Sequence, residues 1–198
     1  MRKIIFLTAL LLLSCFSPRW TAHPVPEKSY VRCDPFKEMP QMIQVPDFPG
    51  VWQVVDSCEE FPREKTSIAL SIFSKEWYSV FGNDRIVTEM LSNLMILWRE
   101  GESSKHSGYD INGTLRNNVR LRGATMSDSM VIVYLNNSET SSRICESALV
   151  HELVHVAIWK KNGSHGDPDH LGYKYPGWTA DHSMVIQKTN NSLCVLGI

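Results

Sequence analysis

Between positions 64 and 81 two apolar rows repeat every four residues, Ile68 with Ile72 and Phe73 with Trp77 and Phe81, and Gly82-Asn83-Asp84 follows them. Residues four apart share one face of an α-helix, so this spacing predicts an amphipathic helix that stops at the glycine. A second apolar pattern runs from Ile144 to Lys161 and ends at Asn162-Gly163, a pair suited to a left-handed C-terminal cap. Ahead of it, Asn136-Asn137-Ser138-Glu139-Thr140 supplies side chains able to cap a helix start. A last helix is predicted to begin at Thr179 and to continue through Ser183, Val185 and Ile186.

Extended segments follow a different pattern. Met130-Val131-Ile132-Val133-Tyr134-Leu135 is short, rich in β-branched residues and bounded by Ser129 and Asn136, which predicts a strand. Leu94-Met95-Ile96-Leu97-Trp98 reads as a second strand preceded by a helical turn, and Val51 to Val55 as a short extended piece. The polar stretch 99–109 reads as a loop and Asn112-Gly113 as a turn. Eight of the ten prolines lie between positions 16 and 62, so residues 15–62 read as a tether and an irregular layer, and catalysis is expected after it. The remainder, 63–198, is expected to form one α+β domain with a small mixed sheet packed on the helix that starts near Ile144.

Composition narrows the possibilities. A chain of 198 residues suits one compact domain, and 43% hydrophobic with 21% charged residues suits a packed core. A net charge of −1 lacks the basic excess of a nucleic-acid binder, so no nucleic-acid partner is expected. Met1-Arg2-Lys3 followed by an apolar run over residues 4–13 has the form of a signal peptide, too short to span a bilayer. The run ends in Leu12-Leu13-Ser14-Cys15, which resembles the lipobox of bacterial lipoproteins. That resemblance implies cleavage before Cys15, a diacylglyceryl group on its sulfur, and attachment to the bacterial cell envelope by the lipid anchor; a monomer is expected. The alternative is an ordinary signal peptide cut before His23, although Trp20 stands where such a site needs a small residue.

Setting Cys15 aside leaves Cys33, Cys58, Cys145 and Cys194, an even number that in an exported chain suggests two disulfides. Three pairings are open. We favour Cys33 with Cys58, leaving Cys145 to join the start of the long helix to the tail at Cys194. No Cys-x-x-Cys pair is present, which argues against cysteine-held zinc.

The chemistry concentrates at His151-Glu152-Leu153-Val154-His155. On a helix His151 and His155 stand one above the other and can present two imidazole nitrogens to one ion. Glu152 is offset by about 100°, beside the ion, where it can take a proton from a water that the metal acidifies. Ala148, Leu149, Val150, Val154, Val156 and Ile158 give the motif an apolar setting. Two histidines on a helix can also be ordinary packing residues.

This segment resembles the zincin superfamily of metallopeptidases, which share a His-Glu-x-x-His helix beneath a sheet whose edge strand aligns the substrate. The resemblance extends over residues 130–182 and implies a Zn2+ ion, a protein or peptide substrate, and Glu152 as general base. Ile158 and Lys161 stand where metzincins carry a glycine and a third histidine, which excludes that subgroup, and no Asn-Glu-x-x-x-Asp helix follows to supply a glutamate ligand.

A third ligand must therefore come from His165, Asp167, Asp169, His170, Asp181 or His182. The helix carries the chain about 10 Å beyond His155, at about 1.5 Å per residue. Two residues after Gly163 span at most about 7 Å, so His165 returns with difficulty whereas His170 has ample reach. His170 is the favoured ligand and His182, in the first turn of the last helix, the alternative; the loop aspartates would then orient imidazoles. Tyr173, Tyr175 or a remaining histidine are candidates for stabilising an oxyanion, while Trp178 reads as packing. Two other functions stay open: a noncatalytic envelope lipoprotein with a structural zinc site, and a zinc amidase acting on cell-wall peptides. Asn112-Gly113-Thr114 and Asn190-Asn191-Ser192 match glycosylation acceptors, which matters only in a host that is not bacterial.

Overall fold

A computed structural model of the chain describes residues 42–56, 63–82, 85–100, 105–109, 115–135, 143–163 and 177–198. In chain order the elements are β1 (Met42–Gln44), β2 (Val51–Asp56), α1 (Arg63–Phe81), α2 (Ile86–Leu91), β3 (Leu94–Glu100), β4 (Lys105–Tyr109), β5 (Leu115–Arg120), β6 (Gly123–Ser127), β7 (Met130–Leu135), a 3-10 turn (Ile144–Glu146), α3 (Leu149–Asn162) and α4 (Ala180–Val195). The fold is α+β. A five-stranded sheet runs in the order β1-β2-β3-β7-β6, and β4 pairs with β5 in a separate ribbon. The three inner strands are parallel and both edge strands antiparallel, so the sheet is mixed.

Register decides which residues meet the helices. Gln53 pairs with Ile96, Ile96 with Val131 and Val131 with Thr125, which places these four in one row across the sheet. Trp98, Val133 and Gly123 form the next row. Side chains in register share a face, and every residue of the two rows except Thr125 is buried. The opposite face carries Trp52, Val54, Met95 and Leu97, which stay partly or largely exposed. Helices α1 and α3 lie on the face that carries the two buried rows. Gln53 anchors that packing, because its Oε1 accepts from the Thr66 hydroxyl of α1 at 2.9 Å and from Trp98 Nε1 at 3.3 Å.

Helix α1 matches its predicted limits, but its buried stripe is Thr66, Ala69, Leu70, Phe73 and Trp77. The Phe73–Trp77 row points inward as expected; the Ile68–Ile72 row lies to one side, with Ile68 38% exposed.

Three further expectations need correction. The extended piece expected at Val51 to Val55 is strand β2, but it and β1 belong to the sheet and not to an irregular layer ahead of the domain. The polar stretch 99–109 is not a loop throughout, since β3 continues to Glu100 and β4 pairs antiparallel with β5. Lys105-His106-Ser107-Gly108-Tyr109 has no apolar alternation, so main-chain pairing, and not a pattern legible in side chains, defines that strand. The helix expected from Ile144 begins only at Leu149, after a 3-10 turn over Ile144–Glu146. Ser147 interrupts it: extended at ψ 170°, its hydroxyl donates to the Ile144 carbonyl at 2.7 Å and accepts from the Leu149 N–H at 3.2 Å. Such local side-chain bonding competes with helix propagation. The capping segment 136–140 lies outside the described residues.

At its other end α3 closes as predicted, with Gly163 left-handed at φ 67° and its N–H bonded to the Trp159 carbonyl at 2.8 Å. A disulfide joins Cys145 to Cys194, tying the entry of α3 to the end of α4, and the Cys145 N–H donates to the Ile198 carbonyl beside it. Cys15, Cys33 and Cys58 lie outside the described residues. Among those described, no helix is long and apolar enough to cross a membrane.

Candidate metal centre

Helix α3 is apolar on nearly every side, with Leu149, Val150, Leu153, Val154, Val156, Ala157 and Ile158 all buried. A helix hydrophobic all round is one surrounded by its own protein: α3 packs against β6, β7, α2 and α4. Its β-branched residues are mediocre helix formers, so packing more than propensity holds it. Lys160 reaches from its last turns to Asp128 at 3.3 Å, fixing the helix to the β6–β7 turn. Polar side chains inside such a helix incur a desolvation cost, which makes His151, Glu152 and His155 conspicuous.

The two imidazoles meet. His155 Nε2 lies 3.2 Å from His151 Nε2. Ligands at about 2.0–2.1 Å from a tetrahedral zinc ion are separated by about 3.3 Å, so the spacing of this pair matches that of two ligands to one cation. A shared proton fits the same separation, one ring donating to the other. His155 is 6% exposed, whereas His151 is more open.

Glu152 is also 6% exposed, and its surroundings explain how a carboxyl is kept there. The Thr125 hydroxyl of β6 donates to Oε2 at 2.8 Å, and the Glu152 carbonyl is 3.1 Å from the same hydroxyl. Burial pushes the carboxyl up to about 7, against the pull of hydrogen bonds from the Thr125 hydroxyl and main-chain N–H. Gly123 makes the approach possible. A Cβ on that residue would stand 2.7 Å from Glu152 Cγ and 2.9 Å from Oε1.

Trp178 packs against the core, as expected of it, and part of that packing is on the two histidines. Its ring centroid lies 5.3 Å from that of His151 and 4.9 Å from that of His155, so one indole contacts both. Its Nε1 donates to the Ser183 hydroxyl at 3.0 Å, which fixes the ring's direction from the first turns of α4. The sequence singles out neither the pair Gly123 and Thr125 nor the contact of Trp178 with the histidines. The alternation of Gly123 and Thr125 just before the Asp128-Ser129 turn and strand β7 was the available signal for a hairpin.

His182 is used differently. Thr179 caps α4, and the Thr179 N–H donates to His182 Nδ1 at 3.0 Å in a reciprocal capping arrangement. A neutral imidazole that accepts at Nδ1 carries its proton on Nε2, where no lone pair then remains for a cation. The ring packs on Trp77 and Phe81, with centroids 5.6 and 4.7 Å away. Asp181 is exposed. Among the described residues no group of three or more histidine, cysteine or carboxylate side chains could hold a metal. His165, Asp167, Asp169, His170, Tyr173 and Tyr175 lie outside the described residues. No protein-family model, no curated protein and no solved structure matches the chain.

Proposed function

We propose that this chain is a zinc-dependent peptidase in which His151, His155 and His170 hold the ion and Glu152 is the general base. The 3.2 Å separation of the two Nε2 atoms carries the reading, because it is the spacing that a tetrahedral zinc ion requires of two ligands. When bound, zinc supplies Lewis acidity and lowers the pKa of the attacking water. Glu152, adjacent to His151 in a buried setting that raises its proton affinity, would act as the general base, taking a proton from the attacking water and returning it to the leaving amine. A cation beside it would draw that affinity back down while leaving the carboxyl positioned. The capped tautomer of His182 supports His170 as third ligand. The preference for peptide bonds rests on the zincin resemblance. The Cys145–Cys194 bridge supports an exported chain, held at the bacterial envelope through a lipid on Cys15.

The test begins with zinc content of the purified chain, for which we expect about one ion per molecule. His155→Ala and His170→Ala should each lose it, while His182→Gln should retain it. Glu152→Gln should keep the zinc and lose a factor of about 10²–10⁴ in kcat on a peptide substrate. Zinc at trace level in the parent chain, or full activity in Glu152→Gln, overturns the proposal.

A further inference from the structure

Most of the inward face of edge strand β6 is given over to one side chain. Alternation sends Gly123 and Thr125 toward α3 and Ala124 away from it, and both inward residues meet Glu152. Gly123 is the open half of this arrangement: the volume a Cβ would take is filled by Glu152 Cγ and Oε1. Thr125 is the gripping half, its hydroxyl 2.8 Å from Oε2. A glutamate has three side-chain torsions, and an ungripped carboxyl on α3 could swing among several rotamers. Fixing Oε2 on β6 and seating Oε1 against Gly123 narrows that choice.

Resting on the reading of Glu152 as general base, we propose that Thr125 is a positioning residue that holds the Glu152 carboxylate in its working rotamer, with Gly123 leaving the space in which it sits. A rival role for Thr125 is purely structural, since the Glu152 main-chain carbonyl is 3.1 Å from the same hydroxyl. One hydroxyl proton serves one acceptor well, and a carboxylate oxygen at the shorter distance is the stronger acceptor. Distinguishing the two acceptors is the purpose of the experiment.

Thr125→Val keeps the side chain's shape and removes the hydroxyl; Thr125→Ser keeps the hydroxyl. On a peptide that the parent chain cleaves, Thr125→Val should lower kcat by about tenfold with KM within about twofold, and Thr125→Ser should restore most of it. An independent measurement needs neither zinc nor turnover. In urea unfolding of the metal-free protein, Thr125→Val should weaken the folding equilibrium by about tenfold in the parent chain and by less than about twofold in a Glu152→Leu background. A bond to the main-chain carbonyl would give the same loss in both backgrounds, since that carbonyl survives the substitution. Equal losses, or a Thr125→Ser variant as impaired as Thr125→Val, overturn the proposal. Thr125→Ala is read in the same way should Thr125→Val fold poorly. If the parent chain proves to have no hydrolase activity, the function assigned above fails while the unfolding cycle still decides whether Thr125 grips the carboxylate.

Discussion

Replacing Gly123 by alanine adds a single methyl group at the closest contact between the edge strand and the helix. Its carbon would stand 2.7 Å from Ala148 Cβ, 2.7 Å from Glu152 Cγ and 2.9 Å from Glu152 Oε1. Carbon pairs are comfortable at about 3.5–4.0 Å, so relief of about 1 Å is needed in two directions at once. Glu152 can turn aside by leaving its rotamer, but the Ala148 methyl has no torsion to use, and α3 or β6 must shift. Overpacking of this kind costs about 1–3 kcal/mol, offset by up to about 1 kcal/mol from the narrower unfolded ensemble of alanine. The expected net loss is about 1–2 kcal/mol, read as a lower urea midpoint at unchanged slope and a Tm lower by about 2–8 °C. The compensating change is Ala148→Gly, which removes one of the two obstructing carbons at the N-cap of α3, where glycine is tolerated. It should return part of the loss in the Gly123→Ala background, and none of the effect should depend on zinc. A Gly123→Ala protein as stable as its parent, or one that Ala148→Gly fails to improve, would show that strand and helix are not in the contact described.

Further outcomes follow from the same geometry. Serine at both Cys145 and Cys194 opens a link across 49 residues, which the chain-entropy treatment values at about 4 kcal/mol; urea unfolding under non-reducing conditions measures it, and an unchanged midpoint would contradict the bridge. In metal-free protein the Glu152 carboxyl binds its proton more tightly folded, at about 7, than at its ordinary value of 4.5. Its contribution to stability is therefore fully present below about pH 4.5 and is lost as pH rises through about 7, by about 3 kcal/mol in all. Subtracting the stability profile of Glu152→Gln from that of the parent isolates this term, and a flat difference refutes the burial that causes it. Copper or cobalt bound at the histidine pair should quench tryptophan fluorescence, and Trp178→Phe should remove the larger part of the quench, because that indole stands about 5 Å from both rings.

What the sequence disclosed tracks how strongly a local pattern is tied to burial. Helix α1 carries apolar residues at helical spacing and strand β7 an unbroken apolar run, and both match their expected limits to within a residue or so. The end of α3 was legible because a left-handed position after a helix favours glycine, and Gly163 is there. Its start was not, because Ile144 and Cys145 are buried like helical residues yet sit in a separate 3-10 turn beyond Ser147. Strands β4 and β5 were missed for a different reason, their definition lying in main-chain pairing between polar segments. At the candidate site His151, Glu152 and His155 stood out through spacing alone. Gly123, Thr125 and Trp178 meet the motif through contacts made across more than 20 residues of chain, and no local pattern encodes those contacts.

A glutamate inside a helix that is apolar all round is costly for folding, and a leucine at position 152 would fill comparable space without the desolvation. The strand opposite compounds the cost: Gly123 and Thr125 give less apolar contact than the valines beside them in the same rows, Val133 and Val131. Two neighbouring elements thus depart from good packing at the same point, and both departures serve the same carboxyl group. Where local rules are broken together in this way, the site and not the core sets the residue choice. That coincidence is independent of the His151–His155 geometry, and it is a second observation in support of the proposed role of Glu152 at the junction of β6 and α3.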